Sequence, residues 1–331
     1  MGGYKRVEVG GWKFWQMRMS GLEINVLENW ATKYLAASRH LVGKEKRELM
    51  YAIAVQFMAA FMVFFRSLGG GVWGCILRGG LFVKPSASLF KQVWKSGKYG
   101  KVTPVNIEMK RDPARTKSGW VGRFVGQEIF KLIQALTGTL IVGETCLASG
   151  TTLVTLVIRL IKEGANLKHL VVFAPVVGSY GVKKLYQVCQ KHKIKLTVIT
   201  AGVWWVDKDG RESKLKYTDF ILKPKGEDHE FYFVPSATAQ AYLQYWGTDE
   251  SKWGCVMGDA GDGMAQNDDG SEDELSQMVY RLKCVEGAKN LGLNPAKRYP
   301  EWEVAQRGWR VRKIRAEVKR IKEEVALRKA A

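Results

Sequence analysis

Residues 138–162, GTLIVGETCLASGTTLVTLVIRLIK, run from an apolar segment to a single acid, then to a cluster of small residues, then to a periodic apolar segment. The first part, GTLIVGE, has no polar alternation, which is the pattern of a strand buried on both faces. The last part sets Val154, Val157, Ile158 and Ile161 on one side of a helix expected over about 151–164. Between them stand Ala148, Ser149, Gly150, Thr151 and Thr152. Small residues let backbone amides face a ligand, and hydroxyls beside a helix N-terminus favour an anion, most naturally a phosphate. Glu144, at the end of the strand, suits the polar part of the same ligand.

Working outward, LKHLVVFAPV and IKLTVITAGV read as further strands, with GVKKLYQVCQKH as the helix between them. On the N-terminal side, GGGVWGCILRGGLF is a short buried strand ending in the turn Arg78-Gly79-Gly80. KVTPVNIEMKRD is a strand ending at Lys110, Arg111 and Asp112, and DPARTKSG a mobile loop. A helix is expected at roughly 122–137, and helices over 21–40 and 45–67 after a short hairpin or arm in the first 20 residues. Strands alternating with helices indicate an α/β fold, with a parallel sheet covered on both faces. Ligands bind such sheets at the carboxyl ends of the strands, where Arg78, Arg111 and Glu144 are expected to fall. Residues 203–252 break the alternation, with a hairpin around Asp209-Gly210. Ser271-x-x-Glu274 reads as a capping box opening a helix to about Lys289. A final basic helix carries Val304, Val311, Val318 and Val325 at sevenfold spacing, a stripe of the kind used in helix pairing.

Composition narrows the function. The chain has 331 residues, 52 Lys and Arg against 32 Asp and Glu, and a formal net charge of +20, which attracts phosphate-bearing partners. The longest apolar run, Met50 to Phe65, is shorter than the ~20 residues of a membrane span and contains Gln56; no membrane role is expected. Cys75, Cys146, Cys189, Cys255 and Cys284 form no CxxC pair, and His40, His169, His192 and His229 lack metal-ligand spacing. A cytoplasmic protein without disulfides or a zinc site is expected.

Four stretches, ILRGGL (76–81), RD (111–112), VGETCLASGTT (142–152) and GDAGD (258–262), occur in the order seen in uracil phosphoribosyltransferases. The chain resembles that family over roughly 45–202 and 253–263. The resemblance implies a type I phosphoribosyltransferase fold with a hood over the base site, phosphoribosyl pyrophosphate as one substrate, a nucleobase as the other, and Mg²⁺ held largely through the pyrophosphate substrate. Ala148 to Thr152 would cradle the 5′-phosphate, Glu144 would meet the ribose hydroxyls, and Arg78, Gly79 and Arg111 would face the pyrophosphate. Met257, Gly258, Asp259 and Ala260 would read the base, with Asp259 beside the ribose and the one side chain offered to the metal. Glu144, Asp259 and Arg111 are thereby the catalytic candidates.

The chain departs from the family in several places; Ser149 stands for the usual Thr and keeps its hydroxyl, and the basic extension 264–331 has no counterpart. Glu144 replaces the usual Asp, Thr145 the usual Pro, and Gly263 the usual Arg, and residues 203–252 exceed the usual connection. The implied organisation is an N-terminal arm and helix (1–44), a transferase-like domain (45–263) with an enlarged hood at 203–252, and a basic helical extension (264–331). The implied activity makes UMP and pyrophosphate from uracil, in a homo-oligomer. The rival reading, motivated by the charge and the departures, is a weakened transferase fold that binds nucleotide or RNA as a regulator or assembly subunit.

Overall fold

Apolar runs at residues 139–143, 169–173 and 195–200 form adjacent parallel strands at the centre of the protein. The computed structural model describes residues 4–9, 11–27, 41–47, 71–76, 102–107, 109–116, 119–124, 128–144, 146–147, 149–206, 220–221, 263–264 and 271–290. Its strands are β1 (Lys5–Val9), β2 (Trp12–Met19), β3 (Leu22–Leu27), β4 (Gly71–Ile76), β5 (Val102–Ile107), β6 (Met109–Thr116), β7 (Gly119–Phe124), β8 (Thr139–Gly143), β9 (Cys146–Leu147), β10 (His169–Phe173), β11 (Val176–Gly178), β12 (Lys195–Thr200), β13 (Val203–Val206) and β14 (Phe220–Ile221). The helices are α1 (Glu128–Ala135), α2 (Thr151–Lys162), α3 (Ser179–Lys191) and α4 (Glu274–Asn290).

The main sheet has eight strands in the order β1-β2-β3-β12-β10-β8-β4-β5. From β3 to β5 every neighbouring pair is parallel, and β1-β2-β3 form an antiparallel meander at one edge. Both faces are buried. Leu140, Val142, Leu170, Val172, Leu196 and Val198 join one core cluster with Leu132 of α1, Leu156 and Leu160 of α2, and Leu185 of α3. On the opposite face Phe14, Leu27, Ile141, Phe173 and Ile199 are equally buried. The fold is therefore mixed α/β with a mostly parallel central sheet. No helix among the described residues is long and apolar enough to cross a membrane.

Three expectations fail. The helix expected from residue 21 is replaced at its start by β3, whose Leu22, Ile24 and Val26 alternate with Glu23 and Asn25 and pair in register with Leu196 to Thr200 of β12. The short hairpin expected in the first 20 residues is present as β1 and β2, and with β3 it extends the central sheet. Residues 109–124 form a hairpin, β6 against β7, where a loop and the start of a helix were expected; α1 begins only at Glu128. At α4 the cap is Asp273, whose Oδ1 accepts the Ser276 amide (3.0 Å), rather than Ser271. The helix expected at 45–67, apart from residues 45–47, the Asp209-Gly210 turn and the terminal heptad helix lie outside the described residues.

A second, small sheet continues the first. After β8, β10 and β12 the chain breaks for two residues, then resumes as β9, β11 and β13, again parallel, with β14 added antiparallel at the edge. Pro175 sits in one break, where its missing N–H costs no ladder bond. Thr200, fully buried, ties two breaks together: its hydroxyl faces the carbonyls of Pro175 (3.2 Å) and Gly202 (3.0 Å) and accepts the Gly202 amide (3.2 Å).

At the opposite, amino edge, His169 sets Nε2 2.9 Å from Thr197 Oγ1. Burial first, then Lys195, lower its pKa from 6.5 to about 4, against the pull of Glu23. The native state therefore binds fewer protons here than the unfolded chain. This stability contribution is complete above about pH 6.5 and is lost as the pH falls toward about 4. Urea midpoints should drop between about pH 7 and about pH 4.5 by more in the wild type than in His169→Gln, which cannot titrate. Parallel pH profiles for the two proteins would exclude the effect.

Candidate functional site

Taken in chain order, the five strands β4, β5, β8, β10 and β12 lie side by side as 2-1-3-4-5. In doubly wound sheets of this order the winding reverses between the first and third strands, and the crevice at their carboxyl ends is the ligand site. Here those strands are β4 and β8, with Cys75 registered against Gly143. The chain leaves β8 into Glu144 and the small-residue turn, which places them at the switch point. It leaves β4 one residue before the Arg78-Gly79 turn, which itself lies outside the described residues.

Glu144 is half-buried, and its amide donates to the Phe173 carbonyl (2.9 Å), so the backbone is still paired with β10 where the carboxylate departs. After the short strand β9 the chain turns at Ser149 and Gly150. Gly150 has φ 71° and ψ 0°, in the left-handed region, and caps α2; its carbonyl accepts the Val154 amide (2.9 Å). A Cβ there would lie 2.8 Å from the Gly181 carbonyl oxygen, so the turn also rests directly on the first turn of α3. Only glycine meets both demands.

No side chain caps α2 through its Gly150 cap position, and no acid stands in its first turn. Ser149 Oγ and Thr151 Oγ1 are 3.0 Å apart, and the Thr151 amide lies 3.4 Å from Ser149 Oγ, at the edge of hydrogen-bonding range. Arg159 and Lys162 occupy the last turn of α2, complementing the other end of its dipole. A helix start that presents amides and hydroxyls without a carboxylate cap suits an anion with several acceptor oxygens.

The sequence-chosen residues are distributed unevenly over this frame. Glu144, Ser149, Gly150, Thr151 and Thr152 stand together along one short segment at the switch point. Arg111 is not at the end of a core strand as expected. It lies inside β6, opposite Gly122, in the hairpin whose β7 strand packs against α2. The apolar run of β5 ends at Ile107, and the polar residues beyond it form their own two-stranded ribbon. Arg78, Gly79, Ala148, Met257, Gly258, Asp259 and Ala260 lie outside the described residues. Gly181 was missed by sequence reasoning; its signal is a second small residue three positions after Gly178 at a helix start. Among the described residues no group of three or more His, Cys, Asp or Glu could hold a metal ion.

The fold and site define an α/β protein with a mostly parallel sheet and, at its switch point, a helix start capped by a left-handed glycine. No family model and no curated protein matches the sequence. Solved structures similar to it include the AQ2163 protein of Aquifex aeolicus, 13% identical over 56% of this chain and 90% of that one, with a TM-score of 0.40. The adenine phosphoribosyltransferase of Trypanosoma brucei, in complex with AMP, pyrophosphate and ribose-5-phosphate, is 11% identical over 59% and 86%, with a TM-score of 0.34. The purine phosphoribosyltransferase of Pyrococcus horikoshii is 15% identical over 46% and 85%, with a TM-score of 0.29.

Proposed function

We propose that the protein transfers the phosphoribosyl group of phosphoribosyl pyrophosphate to a nucleobase, releasing pyrophosphate. The observation that carries this is the Gly150 turn: a left-handed cap and a hydroxyl pair at the start of α2, placed at the switch point beside Glu144. The turn would hold the 5′-phosphate, and Glu144, six residues earlier, would hold the ribose hydroxyls. In the reaction the bond from ribose C1′ to the pyrophosphate oxygen breaks and its electron pair leaves with pyrophosphate. A ring nitrogen of the base bonds to C1′ and gives up its proton to solvent. Positive charge grows on the ribose ring meanwhile, and a fixed carboxylate beside it stabilises that charge. Mg²⁺ bound to the pyrophosphate would neutralise the leaving group, and Arg78 and Arg111 would add to this. No side-chain nucleophile is required, so Cys146 has no covalent task.

Uracil is the base favoured by the four ordered motifs, with Met257 to Ala260 reading its edge and Asp259 beside the ribose. The experiment is direct: purified protein, labelled phosphoribosyl pyrophosphate, Mg²⁺, and each free base in turn. UMP is the expected product. A purine nucleotide instead would keep the transferase and change the base; no nucleotide with any base would end the proposal. The net charge of +20 favours a second reading, a nucleotide- or RNA-binding regulator on the same fold. Its mark is co-purifying RNA whose affinity falls steeply with salt.

A further inference from the structure

The amino ends of the parallel strands, opposite the candidate site, gather a surface rich in lysine. Backbone bonds join its residues in one row: the Leu196 amide donates to the Gly21 carbonyl (2.8 Å), Lys195 to Lys168 (2.9 Å) and Lys168 to Gly138 (2.7 Å). Helices α2 and α3 end at the same edge, at Lys162 and Lys191. Residues 18–23, 159–169 and 191–195 hold Arg18, Arg159, Lys162, Lys168, Lys191, Lys193 and Lys195 against two acids, Glu23 and Glu163.

Both acids are already engaged. Glu163 pairs with Arg159 (2.6 Å). Glu23, with its side chain 13% exposed, accepts from the Gln16 (3.2 Å) and Asn25 (3.1 Å) amides and lies 3.7 Å from Arg18 Nε and 4.0 Å from Lys195 Nζ. Lys162, Lys168, Lys191 and Lys193 are exposed and enter no ion pair among the described residues. Helix dipoles favour cations in a last turn, which accounts for Arg159, Lys162 and Lys191. They do not account for Arg18, Lys168, Lys193 or Lys195.

Lys193 is held there against its backbone preference. Both helices end in the same pattern of bonds. After α2 the Ala165 amide donates to Leu160 (2.9 Å) and Gly164 to Ile161 (3.0 Å); after α3 Ile194 donates to Cys189 (2.8 Å) and Lys193 to Gln190 (3.1 Å). The pattern needs a left-handed residue, which glycine supplies without strain. Gly164 fills that place after α2 with φ 73°. After α3 it is Lys193, with φ 56°, the one non-glycine residue of positive φ among the described residues. A strained backbone kept for a particular side chain points to a task for that side chain.

An unneutralised cationic surface attracts a partner that carries many phosphates. A row crossing β2, β3, β12 and β10 is about 14 Å wide, over which one strand of a duplex sets about four phosphates. Met19 and, at the margin, Ile158 are the exposed large apolar side chains near this edge, too few to seat it in a bilayer. We infer that this edge, with Arg18, Lys162, Lys168, Lys191, Lys193 and Lys195, is a docking surface for a nucleic acid held through its phosphates. The inference deepens the regulator reading by giving it a surface, and it does not depend on the transferase reading.

The test is binding of a short labelled RNA of mixed sequence to the full-length protein, followed by fluorescence anisotropy across a salt series. Replacing Lys168, Lys193 and Lys195 together by Gln should weaken binding on the order of 100-fold at about 0.1 M salt, and make the slope of log K against log salt shallower by about 2–3. Lys193→Gly alone should weaken it about five-fold yet leave Tm equal or higher, because glycine relieves the turn. Lys5, Lys13 and Lys131, exposed on β1, β2 and α1, carry the same charge. An equal loss on replacing those three by Gln would overturn the surface, since net charge alone would then explain binding. An edge variant with wild-type affinity and slope would overturn it too, while leaving the regulator reading in place. Wild-type protein that binds no RNA at low salt would end the surface and the regulator reading together. Binding to phosphatidylserine vesicles but not to RNA would make the edge a membrane contact and equally overturn the proposal.

Discussion

Gly150→Ala is expected to lose on the order of 2–4 kcal/mol of stability and to lose its response to phosphoribosyl pyrophosphate. Two costs add. A side chain at φ 71° is strained by about 1–2 kcal/mol. Its Cβ would also stand 2.8 Å from the Gly181 carbonyl oxygen, which belongs to helix backbone and has little freedom to move. Relief requires the turn to lift away from α3, which would swing the Thr151 and Thr152 amides away from the proposed phosphate position. Wild-type protein at a ligand concentration about a hundred times Kd should gain about 2.7 kcal/mol, seen as a raised Tm. The variant should show no rise at the same concentration. An undiminished rise would mean that the phosphate is held elsewhere.

The second large effect is electrostatic. Glu144→Ala should leave the fold intact, since the position keeps its backbone bond to Phe173. It should lower turnover by about 10²- to 10³-fold, the scale seen when one preorganised charge-stabilising group is removed from a transition state. Asp259→Ala should also lower turnover severely, and Cys146→Ala should be mild. If the cysteine change abolished turnover while both acid changes left it intact, the roles would have to be reassigned. Circular dichroism on each variant separates lost chemistry from lost structure.

The core of this arrangement was legible in the sequence because its signals are local and agree. GTLIVGE has no polar alternation and becomes a strand buried on both faces; 151–162 repeats its apolar residues at helical spacing and becomes α2, although its buried face is Leu153, Leu156, Val157 and Leu160 rather than the expected one, and Ile158 is exposed. Glycine among small residues between them already implied a tight turn. What failed was set at a distance. Leu22 to Leu27 alternate as a strand should, yet they are followed by a stretch with helical character, and only pairing with β12 decides between the two. Asp112 and Pro113 read as loop chemistry, but among the described residues β6 pairs only with β7 and skips register between Arg111 and Arg115, so the ribbon tolerates them. The Asp273 cap was a choice between two residues that cap equally well, made by the local backbone. The two-residue breaks that divide β8 from β9, β10 from β11 and β12 from β13 have a sequence mark only at Pro175 and Gly202.

The parallel pairing of β3 with β12 joins Leu22 to Leu196 and Val26 to Thr200, across almost the whole of the central sheet's span in the chain. A strand made early on the ribosome must therefore wait for one made much later, with its apolar side chains uncovered in the interval. Such distant pairing is slow, and a nascent chain stopped before residue 195 would carry an unmatched, aggregation-prone edge. The alternating Glu23 and Asn25 give that waiting edge some protection in water.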